Sequence, residues 1–208
     1  MNADPPYRVE TERLVVRCWD PCDAPLVADA INTSLDHLRP WISWAHEAPL
    51  SIAACVQLLR RFRGRFDLKQ DFAYGIFTAT ESEVVGGTGL HTRAGDDALE
   101  IGYWIRASRA GQGFATEVTA ALTRAAFAVC GVDRVDILID PANAASLRVP
   151  RKLGYREEAT LRRRLPQVTA DGPRRDAVVF SLLVEEFPGS LSAGAAIQAY
   201  DVCGSSLL

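Results

Sequence analysis

The chain alternates between two hydrophobic periods. Apolar residues at every second position mark strands at Leu99 to Ile105 and Arg134 to Asp140, and β-branched or apolar runs between turn residues mark others at Arg13 to Arg17, Phe72 to Thr78, Val84 to Leu90, near Tyr155 to Leu161, and Arg175 to Leu183. A three- and four-residue spacing marks helices. Ile52, Cys55, Val56, Leu59, Phe62 and Phe66 form one stripe behind a capping Ser51, and Phe114, Val118, Leu122, Ala125 and Val129 form another that Gly131 ends. Shorter helices are predicted at Cys22 to Asn32 and from Asn143 to Lys152, where Pro150 lacks the N–H that would bond the carbonyl of residue 146 and so loosens the last turns. Strands cluster in the middle of the chain and alternate with helices in the second half. The expected fold is therefore α/β, a mixed sheet of about seven strands with helices on both faces.

Two stretches depart from this regularity. Val84 to Leu90 reads VVGGTGL, and glycines at 86, 87 and 89 weaken a strand unless it bulges, forms an irregular edge, or must let something approach its backbone. His37 to Trp44 is broken by Pro40 and carries Leu38, Trp41 and Trp44, so it packs on the core, lines a pocket, or does both. The residues after Phe187 (PGSLSAGAAIQAYDVCGSSLL) are small and rich in glycine and serine, and are expected to extend outside a core domain of residues 1–187.

With 208 residues and a net charge of -3, the protein is long enough for one well-buried core and carries no global positive field to gather nucleic acid. No apolar run at the start resembles a signal peptide, and no stretch approaches the roughly 20 apolar residues of a membrane span, so a cytoplasmic protein without membrane partners is expected. The five cysteines are scattered and read as reduced thiols. The histidines 37, 46 and 91 stand apart from one another and from any sequence partner, which gives no metal site and no catalytic triad.

The stretch with clear chemistry is Glu100 to Glu117, EIGYWIRASRAGQGFATE: a strand, a glycine turn at Gly111-Gln112-Gly113, then a helix. Glycines there let backbone amides approach an anion, and the helix start adds free N–H groups and the positive end of its dipole. A phosphate compound is the expected ligand. A dinucleotide fingerprint is absent, because Thr116 stands where a third glycine belongs, and no Gly-Lys-Ser/Thr ending supports a nucleotide P-loop.

In their order, Thr11-Glu12-Arg13-Leu14-Val15-Val16-Arg17, Leu38-Arg39-Pro40-Trp41 to Trp44, Glu100 to Ile105, Arg109 to Glu117, and Asn143-x-x-Ser146 followed by Lys152-Leu153-Gly154-Tyr155 resemble the GNAT superfamily of acyl-CoA N-acyltransferases. Within it the chain is similar to the branch of ribosomal-protein N-terminal acetyltransferases, from about Arg8 to Phe187. The resemblance implies acetyl-CoA as cosubstrate and no metal, with the pantetheine between two splayed strands and the pyrophosphate on Arg109, Ala110, Gly111, Gln112, Gly113, Phe114, Ala115 and Thr116. The family often has Gln or Arg three residues before the first glycine and a basic residue directly before it; this chain has Ser108 and Ala110, so Arg109 is expected to substitute.

The same resemblance implies oxyanion stabilisation by a backbone N–H near Trp104 or Ile105 and an amide from Asn143 to the pantetheine. Glu100 is the candidate base for the amine, and its alternative is a strand-edge carboxylate in an ion pair. Ser146 is the candidate proton donor to the thiolate, since the tyrosine that many relatives carry is replaced by Pro150. Glu158 matches an acidic position of relatives and otherwise reads as a surface strand residue. Trp41 and Trp44 are expected to wall the amine site, and the Arg162-Arg163-Arg164 cluster reads as a solvated loop or an attractor of acidic acceptors. The expected acceptor is a protein or peptide N-terminus; a small-molecule amine, a non-catalytic CoA-binding module and a nicotinamide enzyme stay open. A monomer or homodimer is expected.

Overall fold

The computed structural model describes residues 4–47 and 49–208; residues 1–3 of the expected core domain lie outside them. Nine strands form one sheet, in the order β7-β8-β6-β5-β4-β3-β2-β1-β9. They are β1 (Arg8–Glu10), β2 (Leu14–Cys18), β3 (Phe72–Thr78), β4 (Val84–His91), β5 (Ala98–Ile105), β6 (Arg134–Ile139), β7 (Arg156–Leu165), β8 (Arg175–Leu183) and β9 (Gln198–Tyr200). The helices are α1 (Ala24–Asn32), α2 (Leu35–Leu38), α3 (Ile52–Asp67), α4 (Phe114–Ala125) and α5 (Ala144–Leu153).

Every neighbouring pair is antiparallel except β5 with β6, whose parallel run needs a crossover, and α4 supplies it. The α4 start is uncapped by any side chain, while its far end runs through a π-helical turn, Ala126–Cys130, to Gly131 at φ 62°. Helices cover both faces. Val118, Leu122 and Ala125 of α4 and Leu147 and Leu153 of α5 pack in one cluster with Leu99, Ile101 and Ile105, whereas α1 and α3 bury Val27, Ile31, Cys55 and Leu59 against Val15, Ala73, Phe77 and Val84 on the other face.

The glycines of β4 have a specific cause. A Cβ on Gly86 would sit 2.1 Å from the Trp104 carbonyl oxygen, one on Gly87 2.5 Å from the Trp104 indole nitrogen, and one on Gly89 2.5 Å from the His91 ring. Of the readings open in the sequence, β4 shows two, and close approach is the first: the β5 backbone and two side-chain rings lie where side chains would be. The bulge is there too: Ile76 pairs with Gly86 and Phe77 with Val84, so Val85 is an extra residue on β4, next to Gly86.

Two expectations change. The sheet has nine strands rather than about seven, because β1 and β9 extend it beyond β2. The stretch after Phe187 is likewise not left outside the core: β9 pairs with β1 through Arg8 and Tyr200, Val9 and Ala199, Glu10 and Gln198, with Ala199 fully buried. The physical reason is the open edge of β1, whose N–H and C=O groups need partners that β9 supplies. Ala199→Glu would force an unpaired carboxylate into that contact, and a loss of about 3 kcal/mol is expected in chemical denaturation; an unchanged midpoint would show that the C-terminal stretch adds nothing to the fold.

Candidate active site

β5 and β6 are paired over only three residues, Ala98, Leu99 and Glu100 with Arg134, Val135 and Asp136. Beyond them the two strands part, because β5 stays on β4 through Ile105 and β6 stays on β8 through Ile139. A cleft of about 890 Å³ opens there, lined by residues 101–105 and 137–140, the α4 start, α5 and the segment from His37 to Ser43.

The alternation of β5 decides which of its backbone groups face this gap. The Arg106 N–H donates to the Val85 carbonyl at 2.8 Å, the Gly102 carbonyl accepts from the Thr88 hydroxyl at 2.9 Å, and the Trp104 carbonyl crowds Gly86. Even-numbered residues thus turn their amides to β4, so those of Ile101, Tyr103 and Ile105 turn to the cleft. Of the two donors expected from sequence, Ile105 has its N–H in the gap, and Trp104 does not.

At one end of the cleft lies the glycine turn. Gly111 has φ 75° and Gly113 φ 84°, the left-handed region, and a Cβ on Gly111 would meet nothing within 4 Å, so its outer face is open to a ligand. With no side chain capping α4, the amides of Phe114, Ala115 and Thr116 remain available for an anion. Arg109 lines the cleft, but its guanidinium is engaged by Glu83 at 3.2 and 2.5 Å, and Glu83 is held below the usual carboxylate range by that bond. The cation beside the turn is Arg13, over the Phe114 ring at 4.4 Å and bonded to the Gln112 carbonyl at 3.3 Å and to Glu117. Arg148 and Lys152, one turn apart on α5, add positive charge to the lining.

On the α5 bank, Asn143 caps the helix by accepting from the Ser146 N–H at 3.1 Å. Pro150 leaves the Ser146 carbonyl without its helical donor, as expected, yet α5 runs on to Leu153. The Tyr103 hydroxyl donates to that carbonyl at 3.2 Å and closes the gap, tying β5 to α5 across the cleft. Burial pushes the Tyr103 phenol well up, eased by the same bond, so it stays protonated.

The far end is held by Arg175, which donates to Asp140 at 2.7 Å, to the Trp41 carbonyl at 3.0 Å and to the Pro166 carbonyl at 3.1 Å. Three separate walls meet on this one side chain. Trp41, Leu38 and Ile42 line the cleft there.

Most sequence candidates therefore meet around one space: Trp41, Trp104, Ile105, Arg109, Ala110, Gly111, Gly113, Phe114, Ala115, Thr116, Asn143 and Ser146 all line it. Three do not. Trp44 packs edge-on against Trp104, with ring centroids 5.9 Å apart, and supports the wall from behind. The Gln112 side chain turns back to the Ser108 carbonyl at 3.1 Å. Glu100 is buried at the last paired position and accepts from Arg93 at 3.0 and 2.5 Å, the ion pair that was its alternative reading. Glu158 accepts from Ser181 at 2.7 Å, also away from the lining. Arg13, Tyr103, Asp140 and Arg175 were not singled out in the sequence. Among the described residues no group of His, Cys, Asp and Glu is arranged to hold a metal ion, and no helix is long and apolar enough to cross a membrane.

Fold and cleft together define an acyltransferase architecture, and the comparisons agree. The family model for the acetyltransferase (GNAT) domain matches residues 13–156, and the chain belongs to that family of N-acetyltransferases. It is 27% identical over 176 residues to an uncharacterized N-acetyltransferase of Bacillus subtilis, covering 84% of this chain and 96% of that protein. It is also 27% identical over 191 residues to the ribosomal protein uS5 alanine N-acetyltransferase of Escherichia coli, covering 89% and 95%. Among solved structures, RimJ of Mycobacterium smegmatis in complex with CoA-disulfide shares the fold at TM-score 0.80 and 24% identity, covering 93% of this chain and 95% of that one.

Two side chains at the cleft invite direct tests. In Tyr103→Phe the Ser146 carbonyl loses its donor, and a loss of about 1 kcal/mol is expected. Pro150→Ala restores the helical N–H, so the same substitution should cost close to nothing in that background; equal costs in both would refute the compensation.

Asp136, beside Glu100 in register, is buried, with one Oδ1 3.0 Å from the Arg134 guanidinium but poorly aligned for a hydrogen bond. Burial raises its carboxyl, opposed by Arg134 and reinforced by Glu100. A raised folded-state value costs stability when the group is ionised, fully above that value, and the cost disappears as pH falls below the unfolded value near 4. Asp136→Asn is expected to raise the melting temperature at pH 7 to 8 and to leave it unchanged at pH 3, which thermal melts at the two pH values check.

Proposed function

We propose that this protein moves the acetyl group of acetyl-CoA to a primary amine, by direct attack with both substrates bound, and that the amine is the N-terminus of a protein or peptide. The observation that carries the reading is the gap between β5 and β6, with a free anion turn at one end and a wall held by Arg175 at the other. An extended, amide-bearing arm suits such a gap, since Tyr103 and Ile105 present backbone groups to it that no strand uses. The pyrophosphate would rest on the Gly111 to Thr116 amides, with Arg148 and Lys152 as cleft-lining cations in place of the side chain missing at Ser108 and Ala110; Arg13, like Arg109, is held by a carboxylate, here Glu117.

The acetyl carbonyl oxygen would take the Ile105 N–H, a donor aimed at the site of developing charge. Ser146 is the proposed proton donor to the departing thiolate. Glu100 is better read as the counter-charge of Arg93, because both of its hydrogen bonds come from that guanidinium.

The choice of an N-terminal amine over a small molecule rests on the Escherichia coli relative, whose name gives ribosomal protein uS5 as its acceptor, with the far end of the cleft walled by the segments of Trp41, Asp140 and Pro166. Thiol release from acetyl-CoA, measured with Ala- and Ser-terminated peptides and with free amino acids, polyamines and aminoglycosides, tests it. Turnover on the peptides is expected; turnover on small amines alone would overturn the acceptor assignment, and CoA binding without turnover on any amine would overturn the enzyme. Gly111→Asp should weaken CoA binding at least tenfold, because it puts a negative side chain on the anion turn at a left-handed position. Ser146→Ala should lower turnover with CoA affinity intact, and unchanged turnover would remove Ser146 from the mechanism.

A further inference from the structure

Behind Gly102, on the face of the sheet shared by Glu100 and Trp104, lies a histidine–carboxylate pair that the chemistry above does not use. His91, the last residue of β4, has Nδ1 2.7 Å from an Asp71 carboxylate oxygen, and the two side chains are 17% and 26% exposed. Burial acts to raise the Asp71 carboxyl, but the bond and charge of His91 and the charges of Arg93 and Arg65 outweigh it and leave it below the usual range, as a carboxylate. A carboxylate can only accept, so Nδ1 carries the hydrogen and Nε2 the lone pair when the ring is neutral.

Nε2 makes no hydrogen bond among the described residues, and its position is set by glycines. The ring lies over Gly89 and Gly102; a Cβ on Gly89 would be 2.5 Å from Nε2, and one on Gly102 3.5 Å. Gly102 lines the cleft. His91 does not itself line the cleft; it lies directly behind Gly102, whose missing side chain leaves the ring beside a lining residue. The remaining charges near it are Arg93, whose Nη2 is 4.0 Å from the same Gly102 position, Glu100, which neutralises Arg93, and Asp136, the register partner of Glu100. Arg65, whose charge also reaches Asp71, is the further cation on that side, and with Arg93 paired to Glu100 a proton arriving on the ring faces the Asp71 carboxylate directly.

We propose that His91, oriented by Asp71, accepts the proton of the attacking amine. This rests on the transferase reading given above. The amine lone pair attacks the thioester carbonyl carbon, an N–C bond forms and the C–S bond breaks, with its electron pair on the CoA sulfur. The proton from nitrogen passes to Nε2 through intervening water, and then to solvent along the exposed part of the ring; the thiolate takes a proton from the Ser146 hydroxyl, which recovers it from water. The products are the amide and CoA thiol.

The test compares wild type with His91→Gln, Asp71→Asn and Gly89→Ala, the last of which displaces the ring while leaving the pair chemically intact. With the best acceptor at saturating acetyl-CoA, His91→Gln is expected to lower kcat about 100-fold and Asp71→Asn about tenfold, with CoA affinity by calorimetry and melting temperature unchanged. Gly89→Ala should lower kcat in the same direction, and added imidazole should restore turnover to His91→Ala. A His91→Gln enzyme within about threefold of wild type, or equal loss of kcat and CoA affinity in all the variants, would overturn the assignment while leaving the transferase reading in place. A wild-type protein that acetylates no amine would remove that reading, and this assignment with it.

Discussion

The parting of β5 from β6 is the constraint on which the molecule turns. A strand pair that stops after three residues leaves polar backbone groups in a half-buried position, a cost that folded proteins avoid unless something else takes the groups up. Here the separation is enforced from outside, since each strand is anchored along its length to its other neighbour, β4 for β5 and β8 for β6. The last paired position carries two buried carboxylates, Glu100 and Asp136, each with its own arginine. Past that point the free amides of Tyr103 and Ile105 are the site.

The irregular features elsewhere serve this gap. Pro150 removes a helical hydrogen bond beside the cleft, and Tyr103 returns it from the opposite bank, so the two sides are tied by the defect in one of them. Glycines 86, 87 and 89 weaken β4 as a strand, yet they clear the surface on which the Trp104 and His91 rings lie. Arg175 collects Asp140, Trp41 and Pro166 and gives the far end a shape that three loops could not hold independently.

How much of this was legible in the sequence follows from the range of the interactions. Seven of the nine strands and the long helices α3 and α4 were legible because period and capping are local, and the Gly111 to Thr116 turn because its chemistry lies within six consecutive residues. The ties across the cleft were not. Tyr103 and Ser146 are 43 residues apart, Arg175 and Trp41 134, and Arg13 and Gln112 99. His91 looked solitary because Asp71 stands 20 residues earlier, before β3 and β4 fold back on each other. Arg109 was assigned to the anion by adjacency, and the competing carboxylate of Glu83 comes from another strand end. The C-terminal stretch misled by composition, since its small residues conceal a three-residue strand that only an open sheet edge calls into being.

The central claim is that the amides freed by the splayed strands receive CoA. Residue-specific amide hydrogen exchange with and without CoA tests it most directly. Tyr103, Ile105 and the α4 start from Phe114 to Thr116 should exchange fast in the free protein and slow on binding, while Gly102 and Trp104, already bonded to β4, should be protected in both states. Equal protection of odd and even residues of β5 in the free protein, or CoA binding that leaves Tyr103 and Ile105 unchanged, would contradict the account.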